Sequence, residues 1–302
     1  MEVATENSTP DEGVPSSVAG WQGDNGSMPR HRRADPASTL GVRDLAAEAV
    51  LLAGGARAIL LQLALPEVGA GVARHSAFAA DPISRLRATM TYVYAVVYGT
   101  REEVREVRRR VNLAHVPVNG DAPSYDAYDP RLQLWVVATL YDTGITLYER
   151  IFGRLDEASA DRVYREYGRL GTTLQVPEGH WPPDRAAFAR YWAQMLPRLT
   201  VTPESARVAR ELLRPTAAPP LLRALMPLVA LVTAGLLPPV LRDGFGMRWD
   251  SRLQRRFERW MRAVGSVYRR LPRPLRHRLA IVYLRRLRGE LRGRVGSGAG
   301  RA

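Results

Sequence analysis

From Leu45 onward, apolar residues recur at intervals of three and four almost to the end of the chain, the period of helices packed on one face. Leu51, Leu52, Ile59, Leu60 and Leu63 carry the first run up to a break at Pro66. A second run opens after Asp81-Pro82, with Asp81 as N-cap and Pro82 at the first helical position, and continues through Leu86, Met90, Val93 and Val97 to Gly99. Thr100 and Glu103 have the spacing of a capping box and open a third helix that carries Val104, Val107, Val111 and His115. Asp129-Pro130 starts a fourth, through Leu132, Trp135, Val136, Thr139, Leu140, Thr143 and Leu147. Further helices are expected at about 157–171, 184–197, 203–213 and 220–241, then in broken pieces over 250–290. No run alternates with period two long enough to make a sheet, and no segment repeats. The pattern predicts an all-α fold: one large helical domain over 37–290, a polar, Gly/Ser/Pro-rich disordered tail over 1–36 and a short disordered tail over 291–302.

Between His75 and Asp142 the pattern is interrupted by polar residues at positions where a helical core would hold Leu or Val. Val111 and His115 are one turn apart, with Val104 and Val107 on the same side, so His115 faces inward. On pattern alone such a histidine is a core residue bonding to a carbonyl more often than a metal ligand. Arg85 and Thr89 share a face at i, i+4. Spacing alone reads them as a surface Arg and a Thr bonded back to its own helix, although a half-buried Arg calls for an anion. His75, just before a helix start, fits a structural hydrogen bond, while His31, His180 and His277 fall in the N-terminal tail, a Pro/Gly-rich loop and an Arg-rich segment.

Composition removes several chemistries. The 302 residues contain no Cys, which excludes thiolate ligation, all-cysteine clusters and a Cys nucleophile. They contain no Lys either, since all 44 basic residues are Arg, so Schiff-base chemistry and a P-loop lysine are excluded. There is no His pair at H-x-x-x-H or E-x-x-H spacing, no G-x-G-x-x-G and no G-x-S-x-G. Charge is concentrated at one end. Residues 242–302 hold 18 Arg against Asp243, Asp250, Glu258 and Glu290, a net of +14, and the remainder of the chain is neutral.

The ordered set of pieces resembles the catalytic domain shared by rubber oxygenases (latex-clearing proteins) and the membrane-bound oxygenase of the mycophenolic-acid pathway. It consists of the Leu-rich run ending at Pro66, Gly71 through His75 to Phe78, Asp81-Pro82 with Arg85, Leu86 and Thr89, Leu113 to Val116, Trp135 to Asp142, and Leu236 through Pro238-Pro239 and Phe245 to Trp249. The resemblance spans about residues 50–290 and implies a helical, globin-like haem b protein. It places the proximal ligand to the haem iron on His115, the haem-side Arg and Thr on Arg85 and Thr89, and a catalytic Glu at Glu67. Rubber oxygenases carry a lysine next to that threonine; here the neighbour is Ala88, which argues against cleavage of polyisoprene itself.

The expectation is a haem b-dependent oxygenase or peroxidase-like oxidoreductase that takes O2 or peroxide and an apolar, lipid-like substrate. Two alternatives stand beside it: an Arg-rich helical module that docks on an anionic membrane or nucleic acid, and a member that keeps the fold without oxidative activity. Eighteen uncharged residues, Ala224 to Leu241, reach the lower edge of membrane-spanning length, but Pro227, Pro238 and Pro239 interrupt them. A buried core helix is the favoured reading, with peripheral membrane contact through 224–290 as the other. A twin-Arg export signal at Arg32-Arg33 is rejected for want of a clean apolar stretch, and a cytoplasmic, membrane-associable protein is expected.

Overall fold

The computed structural model describes residues 39–75, 82–121, 124–215 and 219–298. It is all-α apart from one small hairpin. The expected N-terminal tail and the Asp81 N-cap lie outside the described residues.

The core is the crossing of two helices, α2 (Gly55–Leu63) and α6 (Pro130–Phe152). α6 starts where expected: the Asp129 side chain accepts from the Arg131 N–H, and Pro130 takes the first position, where no amide is needed. Its 23 residues make a rod of roughly 35 Å at 1.5 Å per residue, long enough to serve two packed clusters. At one end Trp135, Ala138 and Tyr141 meet Leu60, Leu61 and Leu63 of α2, all buried. At the other end Leu147 and Ile151 pack on α11 (Pro220–Leu236) and α13 (Ser251–Arg270) through Leu231, Val232, Phe257 and Met261. A third cluster joins α1 (Val42–Ala47), α4 (Pro82–Tyr98) and α15 (Arg278–Gly298) through Ala47, Tyr94, Tyr98, Ala280 and Leu284.

The polar residues of the middle segment have partners inside this core. Arg57, 5% exposed, donates from Nη2 to Asp142 (2.7 Å), from Nη1 to the Thr143 hydroxyl (2.6 Å) and from Nε to the Leu236 carbonyl (2.8 Å). One guanidinium thereby ties α2, α6 and α11 together. Thr139 accepts from Gln62, and the Trp135 indole donates to the Leu61 carbonyl.

Two features depart from the sequence pattern. Pro66 opens a helix as well as ending one: α3 (Pro66–His75) begins on it, because proline is tolerated in a first helical turn. Strands β1 (Asn119–Asp121) and β2 (Ser124–Asp126) form a hairpin of three residues each, too short to leave an alternation signal. The expected 157–171 helix is divided at Gly168 into α7 (Glu157–Tyr167) and α8 (Arg169–Thr172), and the 220–241 stretch is broken before α12 (Pro239–Gly244); α9 (Arg185–Met195), α10 (Pro203–Leu213) and α14 (Arg273–Arg276) lie where helices were expected. α15 continues to Gly298, past the expected domain end at 290. It is pinned to α5 (Arg101–His115) by Arg288–Glu103 and Arg110–Glu290 ion pairs, each 2.7 Å.

Candidate functional site

Helices α4 and α5 form an antiparallel hairpin around Gly99, whose N–H bonds the Ala95 carbonyl at 2.7 Å. A side chain at Gly99 would stand 2.5 Å from that same carbonyl, so the reversal needs glycine. The Thr100 capping box forms as the spacing predicts: the Thr100 hydroxyl accepts from the Glu103 N–H, and Glu103 accepts from the Thr100 N–H. The hairpin folds the end of α5 back onto the start of α4. His115, in the last turn of α5, therefore comes close enough to Arg85 to feel its charge.

His115 is half-buried. Its imidazole is held below the ordinary histidine range, first by burial and then by the Arg85 charge, against a smaller opposing pull from Asp126. A helix C-terminus by itself favours the imidazolium, so here desolvation and the neighbouring cation win. Nδ1 of His115 is buried with no hydrogen-bond partner among the described residues. An unmade bond at a buried polar atom costs on the order of 1–3 kcal/mol. Tyr128 sets its ring edge-on to the imidazole, with centroids 6.3 Å apart, and donates from its hydroxyl to the Asn112 carbonyl at 2.8 Å.

The start of α4 differs from the rest of the fold. Every side chain from Ser84 to Thr89 is exposed. Leu86, Leu113 and Val116 are exposed around it, the last two at 58% each. Thr89 stands one turn beyond Arg85 on the same face, next to Ala88.

Of the residues singled out from sequence, the structure brings His115 and Arg85 together and keeps Thr89 on the Arg85 face. Glu67 lies in the first turn of α3, half-buried, and its charge is felt by Arg131 at the start of α6. His75 does the structural work expected of it: Nε2 bonds the Asn119 carbonyl (2.9 Å) and the Tyr125 hydroxyl (2.7 Å), locking α3 to the hairpin. His277 pairs with buried Glu48, and His180 is exposed in its loop. Ser76, Phe78 and Asp81 lie outside the described residues. Asp126 and Tyr128 were invisible from sequence, since Asp126 ends the three-residue strand β2 and Tyr128 sits in the turn after it, where no periodicity operates. Among the described residues no group of three or more His, Asp or Glu could hold a bare metal ion. A haem iron makes a different demand, a single imidazole from the protein.

Residues 42–266 match the family described as ER-bound oxygenase mpaB/B'/Rubber oxygenase, catalytic domain. The chain belongs to this family. Its relatives include an uncharacterised protein of Mycobacterium tuberculosis and one of Mycobacterium bovis. Each is 40% identical over 225 residues, covering 70% of this chain and 86% of the relative. No solved structure matches the chain. The all-α fold is the one membership implies, and an oxygenase family implies molecular oxygen and an organic substrate. The match ends inside α13, so α14 and α15, with all of their arginines, lie outside it.

Proposed function

We propose that this chain is a haem b-dependent oxygenase acting on an apolar substrate, with His115 as the protein's ligand to the iron. The observation that carries the reading is His115 itself, a half-buried imidazole whose Nδ1 has no partner among the described residues, beside Arg85 and an exposed stretch of α4. These residues fit a haem. Burial and the Arg85 charge keep His115 neutral, which leaves a lone pair free for ligation. Arg85 offers charge-assisted hydrogen bonds to a carboxylate at the cofactor's edge, and the Thr89 hydroxyl adds a neutral polar group one turn along. Leu86, exposed beside Arg85, would be covered by a flat apolar group and would exclude water from its face. The haem, when bound, supplies the oxidising chemistry; the chain supplies ligation, orientation and a dry surrounding. Glu67 enters as a candidate base through the family resemblance, and Glu67→Gln should lower turnover while leaving the haem spectrum intact.

The test is an absorption spectrum of protein produced with haem available. Wild type should show a Soret band, His115→Ala should lose or strongly shift it, and added imidazole should restore it in part. His75→Ala is the control, because that ring is already committed to Asn119 and Tyr125. No Soret band in wild type and no uptake of added hemin, or a band that survives loss of His115 and collapses with loss of His75, overturns the assignment.

A second observation supports peripheral contact with an anionic membrane through 224–290. Among the described residues no single helix is long and apolar enough to cross a bilayer. The favoured core reading holds for the second half of α11, where Leu231 to Ala234 are buried, but its first half leaves Leu221 and Leu225 in water. Beside it α13 turns Arg252, Arg255, Arg256, Arg259 and Arg262 outward together with exposed Trp260 and Val267. Exposed leucines next to a surface of five arginines and the single carboxylate Glu258 suit a headgroup interface. Flotation with phosphatidylglycerol vesicles should fall with added salt and with Leu221→Ser/Leu225→Ser. Binding to DNA in its place would favour the nucleic-acid alternative.

A further inference from the structure

A shallow groove of about 300 Å³ runs along the outer side of α5. Arg105, Arg108 and Arg109 line one end, and Leu113 and Val116 the other, with Asn112 and Tyr128 between and beside them. The cationic end is not neutralised from within. Glu106 takes Arg109 in a two-pronged pair (2.9 and 3.0 Å) and Arg110 at 2.7 Å, whereas Arg105 and Arg108 form no ion pair among the described residues. The apolar end is uncovered, with Leu113 and Val116 each 58% exposed. These positions are spaced i, i+3, i+4, so charge and apolar surface lie on one continuous stripe of the helix. The stripe ends at the turn that carries His115, and Tyr128 belongs to both, lining the groove and standing edge-on to the imidazole.

We propose that this groove binds a single-chain amphiphile, its anionic head at Arg105 and Arg108 and its hydrocarbon chain along Leu113 and Val116. As the substrate class of the enzyme this rests on the haem reading of His115, whereas the binding itself does not. Seven to ten residues separate the two arginines from His115, roughly 10–15 Å along the helix axis. A head fixed at the arginines therefore delivers a position well down the chain to the His115 end, which makes the arginine pair a ruler as well as an anchor. A neutral hydrocarbon gains nothing from the cationic end, so the groove distinguishes an acid from a plain alkene or alcohol of equal length.

Calorimetric titration of the full chain with dodecanoate and with dodecanol, both below their aggregation limits, tests this. Dodecanoate should bind at one site at least about tenfold more tightly, the worth of one charge-assisted contact. Arg105→Gln/Arg108→Gln should bring the two ligands to parity, and Val116→Glu should weaken both. Arg252→Gln/Arg256→Gln, on the separate arginine face of α13, should leave the preference intact. Parity in wild type, a preference that survives the α5 double variant, or an equal loss in the α13 variant overturns the proposal. His115→Ala should keep the preference while losing haem. If wild type takes up no haem yet prefers the acid, the oxygenase reading falls and the groove assignment stands; if haem binds and no preference exists, the reverse holds.

Discussion

Two arginines of this chain each stand near a threonine, and the fold treats them in opposite ways. Arg57 is sealed between α2, α6 and α11, with donors met by Asp142, Thr143 and the Leu236 carbonyl. Arg85 lies on a half-helix with every described side chain from Ser84 to Thr89 exposed, and it acts on a histidine whose ring nitrogen has no partner. The first arrangement is finished, since a buried charge persists only where its partners are supplied. The second leaves the His115 Nδ1 unsatisfied among the described residues. A polar residue at a core position can thus be a clamp or a site, and what separates them is whether the fold itself satisfies it.

The clamp should show the largest effect. Asp142→Ala leaves the Arg57 charge buried without its counter-ion and should cost about 3–5 kcal/mol in urea unfolding, with no direct contact to the His115 end. Replacing both partners, Arg57→Met with Asp142→Leu, should recover most of that loss. A single-variant loss under about 1 kcal/mol would mean water reaches the pair and the clamp is not a clamp.

Haem loading sharpens the contrast from the other side. Amides over Ser84–Thr89 and Leu113–His115 should open easily in the haem-free protein and gain protection on loading, by up to about 2.7 kcal/mol at a hundredfold excess over Kd. Amides of Leu60–Leu63 and Trp135–Thr139 should change least. Hydrogen exchange read by mass spectrometry distinguishes the two regions in one experiment. Uniform change, or none at the α4–α5 end, would separate haem from this site.

The sequence carried one half of this comparison better than the other. Asp129-Pro130 and Thr100-x-x-Glu103 set the starts of α6 and α5, because capping is a local matter of a few residues. Periodicity placed Thr139 and Asp142 facing inward. It could not supply Arg57, a partner 85 residues away, so clamp and site looked alike until the helices crossed. The Arg85–His115 pairing was suggested by resemblance, and its cause, the Gly99 reversal, was legible as a helix stop. Asp126 and Tyr128 escaped because a three-residue hairpin and a turn have no period to read.

Arg85→Ala should therefore behave unlike Asp142→Ala. Stability of the haem-free protein should fall far less than for Asp142→Ala, because Arg85 sits on an exposed stretch of α4 and not in the sealed core. Haem affinity should fall by about tenfold, the loss of one charge-assisted contact. Thr89→Val nearly keeps the side-chain shape and removes a hydroxyl, so a shift of the spectrum with little loss of haem is expected. Apomyoglobin transfer rates and the visible spectrum measure the two effects. Wild-type behaviour in both variants would place the cofactor elsewhere.

The smallest effect concerns a proton. In the native haem-free state the His115 imidazole is held below its ordinary range by burial and by Arg85. Above about pH 6.5, the ordinary histidine value, the ring is neutral in both folded and unfolded chains and makes no pH-dependent contribution. As pH falls through that value the unfolded chain takes up a proton that the native ring refuses, so stability declines on the acid side until the native value is reached. Arg85→Ala removes the second cause and leaves the first. The His115 ring should then titrate at higher pH, closer to an ordinary histidine, and the acid-side decline should shrink. Ring-proton NMR of the haem-free protein, assigned with His115→Ala, reads the shift directly. An unchanged or downward shift would mean that Arg85 does not face His115 in solution, and the feature that most separates this end of the hairpin from the sealed core would be lost.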